Sequence, residues 1–253
     1  MANILDKKKE KDGGFWETAK TIVYAVLIAL LIRSLAFEPF NIPSGSMIPN
    51  LLVGDYLFVS KYSYGYSKHS LPLSLPVFPG RVLSKEPARG DVAVFKLPRD
   101  NETDYIKRVI GLPGDSIQVL RGELYINGKP VIRKRIENFI DLDAGKSWSQ
   151  YVETLPNGKK YRVIEQLENY SPLDNTPVYR VPPNHFFMMG DNRDNSADSR
   201  VQSGPDRVGF VPIENFVGRA EVLFFSTDGS ASIWEIWKWI SAMRLGRFFK
   251  AIE

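Results

Sequence analysis

Four short segments hold residue types that can do chemistry. The first, Pro43-Ser44-Gly45-Ser46-Met47-Ile48-Pro49, sets two hydroxyls among two prolines and a glycine. Proline fixes φ, so the backbone here is held as a nucleophile and its neighbouring hydrogen-bond donors require. The same composition also makes plain turns. The second is Arg89-Gly90-Asp91, by itself a turn leading into a strand. The third is Asp104–Ile110 (DYIKRVI), followed by Gly111-Leu112-Pro113-Gly114-Asp115. Period-two alternation puts Tyr105, Lys107 and Val109 on one face and Ile106, Arg108 and Ile110 on the other. An amine between Tyr105 and Val109 on a covered face loses hydration, and its pKa falls toward that of a useful base. An exposed one is an edge-strand cation that discourages aggregation, and on the strand alone that plainer role comes first. The fourth is Gly190–Arg200 (GDNRDNSADSR). Its turn-forming polar residues after the apolar run His185–Met189 predict an ordered, hydrogen-bonded loop. Calcium is a rival use for those carboxylates, although the EF-hand spacing and its glycine are missing.

Other chemistries fall away by inspection. There is no G-x-S-x-G elbow, and no Ser stands three residues before a Lys. The chain has no Cys and two His, so a thiol nucleophile, a disulfide framework and a Cys- or His-rich metal site are excluded. His69 and His185 read as packing or surface residues. The net charge of +4 is spread thinly, without the basic stripe of a nucleic-acid binder.

These segments need a scaffold. Lysines crowd residues 1–14, the expected cytoplasmic N-terminus, and an apolar stretch follows, densest from Thr21 to Ile32. Phe15 to Phe40 is predicted to be an uncleaved membrane anchor, with Lys20 and Arg33 snorkelling. A cleavable export signal ending at Ser34-Leu35-Ala36 is the competing reading. After Arg33 no Lys or Arg appears before Lys61, so the positive-inside rule puts everything after residue 40 on the outer face. Beyond the anchor, short alternating runs separated by Gly, Pro and Asn predict a mainly antiparallel β domain. Its core is assigned to 41–115 plus 181–228. Residues 116–180 are more charged and carry both Asn-Gly steps, Asn127-Gly128 and Asn157-Gly158, each a signal for a hairpin with positive φ at both residues. They are expected to form an inserted β subdomain without chemistry of its own. The tail 229–253 carries Trp234, Trp237 and Trp239 with Arg244, Arg247 and Lys250, which suits either an amphipathic membrane-surface segment or a terminal helix covering the core. Leu71–Phe78, apolar but broken by Pro72 and Pro76, is expected to dip into the lipid interface or to be a buried loop.

In this order, after an N-terminal span, the four segments closely resemble the bacterial type I signal peptidase (leader peptidase) family. The likeness runs from roughly residue 16 to residue 226 and rests on Ser-Gly-Ser-Met-x-Pro, Arg89–Phe95, Asp104–Asp115 and Gly190–Arg200. The resemblance implies a serine–lysine endopeptidase with Ser46 as nucleophile and Lys107 as neutral general base. It implies an oxyanion hole from the Ser44 hydroxyl and the Ser46 backbone N–H, with Ser196 orienting the Lys107 amine. Asp198 and Arg200 become a supporting ion pair. It implies no cofactor and no metal. Preprotein signal peptides cut after small residues at positions −1 and −3, membrane lipid and proximity to the export translocase become the expected partners. The implied location is the bacterial inner (plasma) membrane, single-pass, with the catalytic domain on the periplasmic or extracytoplasmic face. A self-cleaving repressor-type serine–lysine protease, a maturation peptidase with one dedicated substrate and an inactive membrane-bound paralogue are the rivals.

Overall fold

The computed structural model describes residues 2–71, 74, 79–141, 145–167, 171–231 and 234–253. Of the expected interfacial run Leu71–Phe78, all but Leu71 and Ser74 lie outside the described residues.

Helix α1 spans Ala2–Leu35. Its stretch Gly14–Leu35 is 22 residues long with a mean hydropathy of 1.7 and none of it buried, so by length and composition it can cross a membrane. The helix ends earlier than the anchor expected from the sequence. Residues 37–40, assigned there to the span, instead form with Asn41 the strand β1 (Phe37–Asn41), which pairs antiparallel with β2 (Asp55–Ser60) from Phe37↔Ser60 to Asn41↔Tyr56. Pro39 explains the correction, because a proline cannot donate within a helix interior but is tolerated on an edge strand.

The chain continues through the short pair β3 (Tyr66–Ser67) and β4 (Arg81–Val82), then β5 (Val92–Lys96) and β6 (Asp104–Gly111). Next come β7 (Ser116–Leu120), β8 (Glu123–Ile126), β9 (Lys129–Pro130), β10 (Ile132–Asp141), β11 (Lys146–Thr154), β12 (Lys160–Glu165) and β13 (Tyr179–Arg180). The last three strands are β14 (His185–Met189), β15 (Val211–Pro212) and β16 (Phe216–Ser226). The result is mainly antiparallel β. A seven-stranded sheet has the order β1-β2-β16-β5-β6-β14-β15, drawn wholly from outside residues 116–180. The strands within 116–180 form two smaller sheets, β13-β7-β8-β9 and β10-β11-β12.

The central strands follow from their sequences. β5 reads VAVFK and buries four of its five residues, as an interior strand of branched and aromatic side chains should. In β6 the alternation sends Tyr105 and Val109 to an apolar cluster with Phe95, Phe186 and Phe216. Ile106 and Ile110 join two other clusters, one with Val92, Val94 and Leu57, the other with Ile117, Val163 and Phe187. β6 therefore sits where the three cores meet.

The two Asn-Gly steps behave differently. Asn127 and Gly128 have φ of 53° and 74° and close a two-residue hairpin between β8 and β9. At the second, Gly158 alone has positive φ, within a five-residue loop from Leu155 to Lys159. Pro156 fixes the first corner there, and Asn157 uses its side chain instead, donating from Nδ2 to the Arg89 carbonyl at 2.8 Å.

The tail forms short turns and one helical turn, Trp239–Ala242, rather than a continuous helix. Its far end is stitched to the core: the Leu223 amide donates to the Lys250 carbonyl and the Ile252 amide to the Glu221 carbonyl. Arg247 pairs with the buried Asp55. Its near end keeps Trp234, Trp237 and Ile240 at 84%, 72% and 77% exposure.

Candidate active site

Ser46 lies in a single turn of 3-10 helix, Gly45–Met47, which follows the edge strand β1 after Ile42, Pro43 and Ser44. The Ile48–Pro49 peptide that follows is cis. Met47 is fully buried beside Ile42 and Leu51, so the turn is anchored by an apolar plug on its far side while Ser46 faces the base strand. Lys107 comes from the middle of β6, where Ala93 is its cross-strand partner. Its Nζ donates to Ser46 Oγ at 2.8 Å and to the Ile106 carbonyl at 3.0 Å. The Tyr105 ring lies 5.0 Å from the amine. The two side chains are 61 residues apart in sequence and both are buried, at 8% and 4% exposure.

Burial sets the state of that amine. Stripped of water, Lys107 falls from the ordinary 10.5 to about 8, while the charges of Asp198 and Asp191 act in the opposite direction. A lysine with that pKa is neutral in an appreciable fraction of molecules near neutral pH and can accept a proton. Ser44 Oγ lies 3.5 Å from Ser46 Oγ, on the same turn.

The loop Gly190–Arg200 closes the site from the other side. The Asn192 amide donates to the Ser46 carbonyl at 3.1 Å, and Asn192 Nδ2 to the Gly45 carbonyl at 3.1 Å. Gly190 is required by space. A Cβ there would come within 2.6 Å of both Ser196 Cβ and the Ser46 carbonyl oxygen. Asp198 and Arg200, both buried, form a two-point ion pair of 2.9 and 2.8 Å, and Asp198 Oδ2 also accepts the Gly190 amide at 3.0 Å. Burial would raise the Asp198 pKa, but Arg200 and these donors hold it below the usual carboxylate value.

Ser196 departs from expectation. Its buried Oγ has no hydrogen-bond partner among the described residues, and the partners of Lys107 are Ser46 and the Ile106 carbonyl. The calcium alternative loses its ligands in the same loop. Asp191 is engaged by Arg108, Asp198 by Arg200, and Asp194 accepts the amides of Gln166 and Leu167. Among the described residues no group of three or more His, Asp or Glu is arranged to hold a metal ion.

Sequence reasoning passed over Arg108, the other cation of β6. It is fully buried and forks onto Asp191 with two bonds of 2.8 Å, while Nη1 donates to the carbonyls of Gly90 and Glu253. The alternation that directed Lys107 one way predicted that Arg108 would point the other. A fully buried guanidinium demands a carboxylate, and that demand was the available signal.

Fold and site together describe a β-sheet hydrolase whose paired serine and lysine are held by a loop. The sequence model of the family "Signal peptidase, peptidase S26" matches residues 15–225. The chain belongs to that family and is a serine peptidase. Signal peptidase I of Rickettsia typhi is 43% identical over 246 residues, covering 91% of either chain. That of Rickettsia canadensis is 42% identical over 262 residues, covering 97% of each. The crystal structure of a signal peptidase I from Enterococcus faecalis covers 53% of this chain and 97% of its own, at 28% identity and a TM-score of 0.31.

Proposed function

We propose that this chain is a membrane-anchored endopeptidase that removes signal peptides from exported preproteins, using Ser46 as nucleophile and Lys107 as neutral base. The observation that carries the reading is the 2.8 Å contact from Lys107 Nζ to Ser46 Oγ at an amine whose pKa is lowered to about 8. Ser46 Oγ attacks the scissile carbonyl carbon as its proton passes to Lys107. The oxygen of the tetrahedral intermediate takes hydrogen bonds from the Ser44 hydroxyl and the Ser46 backbone N–H. Collapse breaks the C–N bond, and the proton on Lys107 goes to the leaving amine. Water, deprotonated by the same amine, then hydrolyses the acyl ester. Ser196, with its buried and unpartnered hydroxyl, is the group that orients the amine as Ser46 becomes acylated. Asp198 and Arg200 hold the loop behind it.

Family membership supports cleavage after small residues at −1 and −3, which shallow pockets impose by excluding larger side chains. The apolar helix and the lysines before it support a single span with its N-terminus in the cytoplasm and the β domain on the outer face. The exposed Trp234, Trp237 and Ile240 support a second contact with lipid. Cleavage of a model preprotein in detergent by wild type, Ser46→Ala and Lys107→Met tests the chemistry. The expected result is cleavage after a small residue by wild type and two folded, inactive variants. Sustained cleavage by folded Lys107→Met would place the base elsewhere.

A further inference from the structure

Residues 116–180 contribute nothing to the paired serine and lysine, yet strand β12 within them runs against both pieces of the site. At its end the Ile164 amide donates to the Asp191 carbonyl at 3.0 Å, and the Arg193 amide returns to the Ile164 carbonyl at 3.0 Å. This is a parallel bridge between Ile164 and Asn192. Just past the end of the strand, the amides of Gln166 and Leu167 donate to Asp194 Oδ2 at 2.7 and 2.9 Å. On the other side, Asn50 Nδ2 reaches the Arg162 carbonyl and Asp191 Oδ2, both at 2.7 Å. The same strand thus holds the loop and the turn that follows Ser46.

Side chains fix the bridge in place. Arg193 is buried and forks onto Glu153 of β11, which has no exposure. Tyr161 of β12 donates to Glu153 Oε2 at 2.6 Å and accepts from Arg193 Nη2 at 3.1 Å. Arg193 cannot shift without leaving a buried carboxylate uncompensated, so its backbone is pinned. That backbone is not idle: its carbonyl accepts Arg200 Nη2 at 2.6 Å, and the preceding residue, Asn192, donates to the carbonyls of Ser46 and Gly45. A continuous path therefore leads from Glu153 and Tyr161 through Arg193 and Asn192 to the Ser46 turn.

We infer that Glu153 and Tyr161 are positioning residues for the peptidase reaction, holding the Gly190–Arg200 loop and, through Asn192, the carbonyl of Ser46. The inserted sheets are in this sense part of the catalytic apparatus and not an ornament on it. The inference rests on the serine–lysine reading proposed above. Loosening the loop lets water reach Lys107 and lets Ser46 wander from it, so the loss falls on turnover more than on substrate binding.

The test uses the full chain in detergent with Glu153→Gln and Tyr161→Phe, each checked by its thermal midpoint. Preprotein cleavage gives kcat and KM, and hydrogen exchange reads the amides of Asn192 and Arg193. Glu153→Gln is expected to lower kcat at least tenfold with KM within about threefold, to speed exchange at both amides, and to move the pH limb of kcat/KM upward. Tyr161→Phe, which removes one hydroxyl, is expected to give the same pattern at about threefold in kcat. A folded Glu153→Gln enzyme with wild-type kcat, or with unchanged exchange at the two amides, overturns the inference. If Glu153→Gln does not fold, the Tyr161→Phe result decides in the same terms. Ser46→Ala separates the two readings: cleavage retained there removes the serine–lysine reading, and with it the catalytic role of the path, whatever the exchange data show.

Discussion

Raising the pH from about 6 to about 9.5 titrates Lys107 while leaving the ion pairs around it charged. Burial brings this amine to about 8, against an ordinary 10.5. At pH 8 about half of the folded molecules then hold a neutral amine, where an exposed lysine would be neutral in about 0.3%. The setting multiplies the population of usable base more than a hundredfold, a gain of about 3 kcal/mol at that pH. The assay is kcat/KM for preprotein cleavage by the full chain in detergent. Below about pH 7 the value should climb tenfold per pH unit, reaching half its plateau near pH 8. The rate at pH 7 should be about a tenth of the plateau. Asp198 and Asp191 both raise this amine's pKa, so Asp198→Asn, where it still folds, should move the limb to lower pH. A profile flat from about pH 6 to 9, or a limb near 10.5, would refute the assignment of Lys107 as a base prepared by burial.

Three further expectations follow from the same geometry. The unfolded chain binds the Lys107 proton more tightly than the folded one (10.5 against about 8), so this residue makes stability rise with pH across that window. Thermal unfolding should therefore find Lys107→Met more stable than wild type near pH 6, by up to about 3 kcal/mol, with the advantage shrinking between pH 8 and 10.5; an advantage that grows with pH would contradict the burial argument. Gly190→Ala forces its Cβ onto Ser196 and the Ser46 carbonyl and should cost about 100-fold in kcat with the fold retained, whereas near-normal turnover would show that the site tolerates displacement. A chain keeping Trp237 as its single tryptophan should be quenched by brominated lipid in vesicles, and emission indifferent to the bromine would remove lipid contact at the tail.

The legible parts of this molecule were those written locally. Alternation along Asp104–Ile110 separated Lys107 from Arg108, and the structure sends them to opposite partners, Ser46 and Asp191. The turn chemistry of Gly190–Arg200 announced a hydrogen-bonded loop, because part of its bonding is local: Asp198 takes the Gly190 amide and Arg200, and the Arg193 carbonyl takes Arg200. The end of α1 was misplaced because hydropathy continues through Phe37 and Phe40, and only the pairing with Asp55–Ser60 shows that these residues belong to a sheet. The partnership of Arg193 with Glu153 joins residues 40 apart, and nothing in either neighbourhood names the other. The tail was equally opaque: its composition suited either a membrane-surface segment or a terminal helix over the core, and neither names Arg247 on Asp55 or the strand-like contacts of Lys250 and Ile252 that hold its far end.

The short connection between α1 and the Ser46 turn has a consequence of its own. Leu35 ends the helix and Ser46 follows eleven residues later, five of them committed to β1. Even fully extended, that length reaches no more than about 40 Å. With α1 spanning the bilayer as proposed, the chain would act as a tether of limited length, and Ser46 would work within a bounded height above the lipid. On the proposed function, a preprotein anchored by its own apolar segment would have to present its cleavage point within that height, so the enzyme would measure distance from the membrane as well as side-chain size.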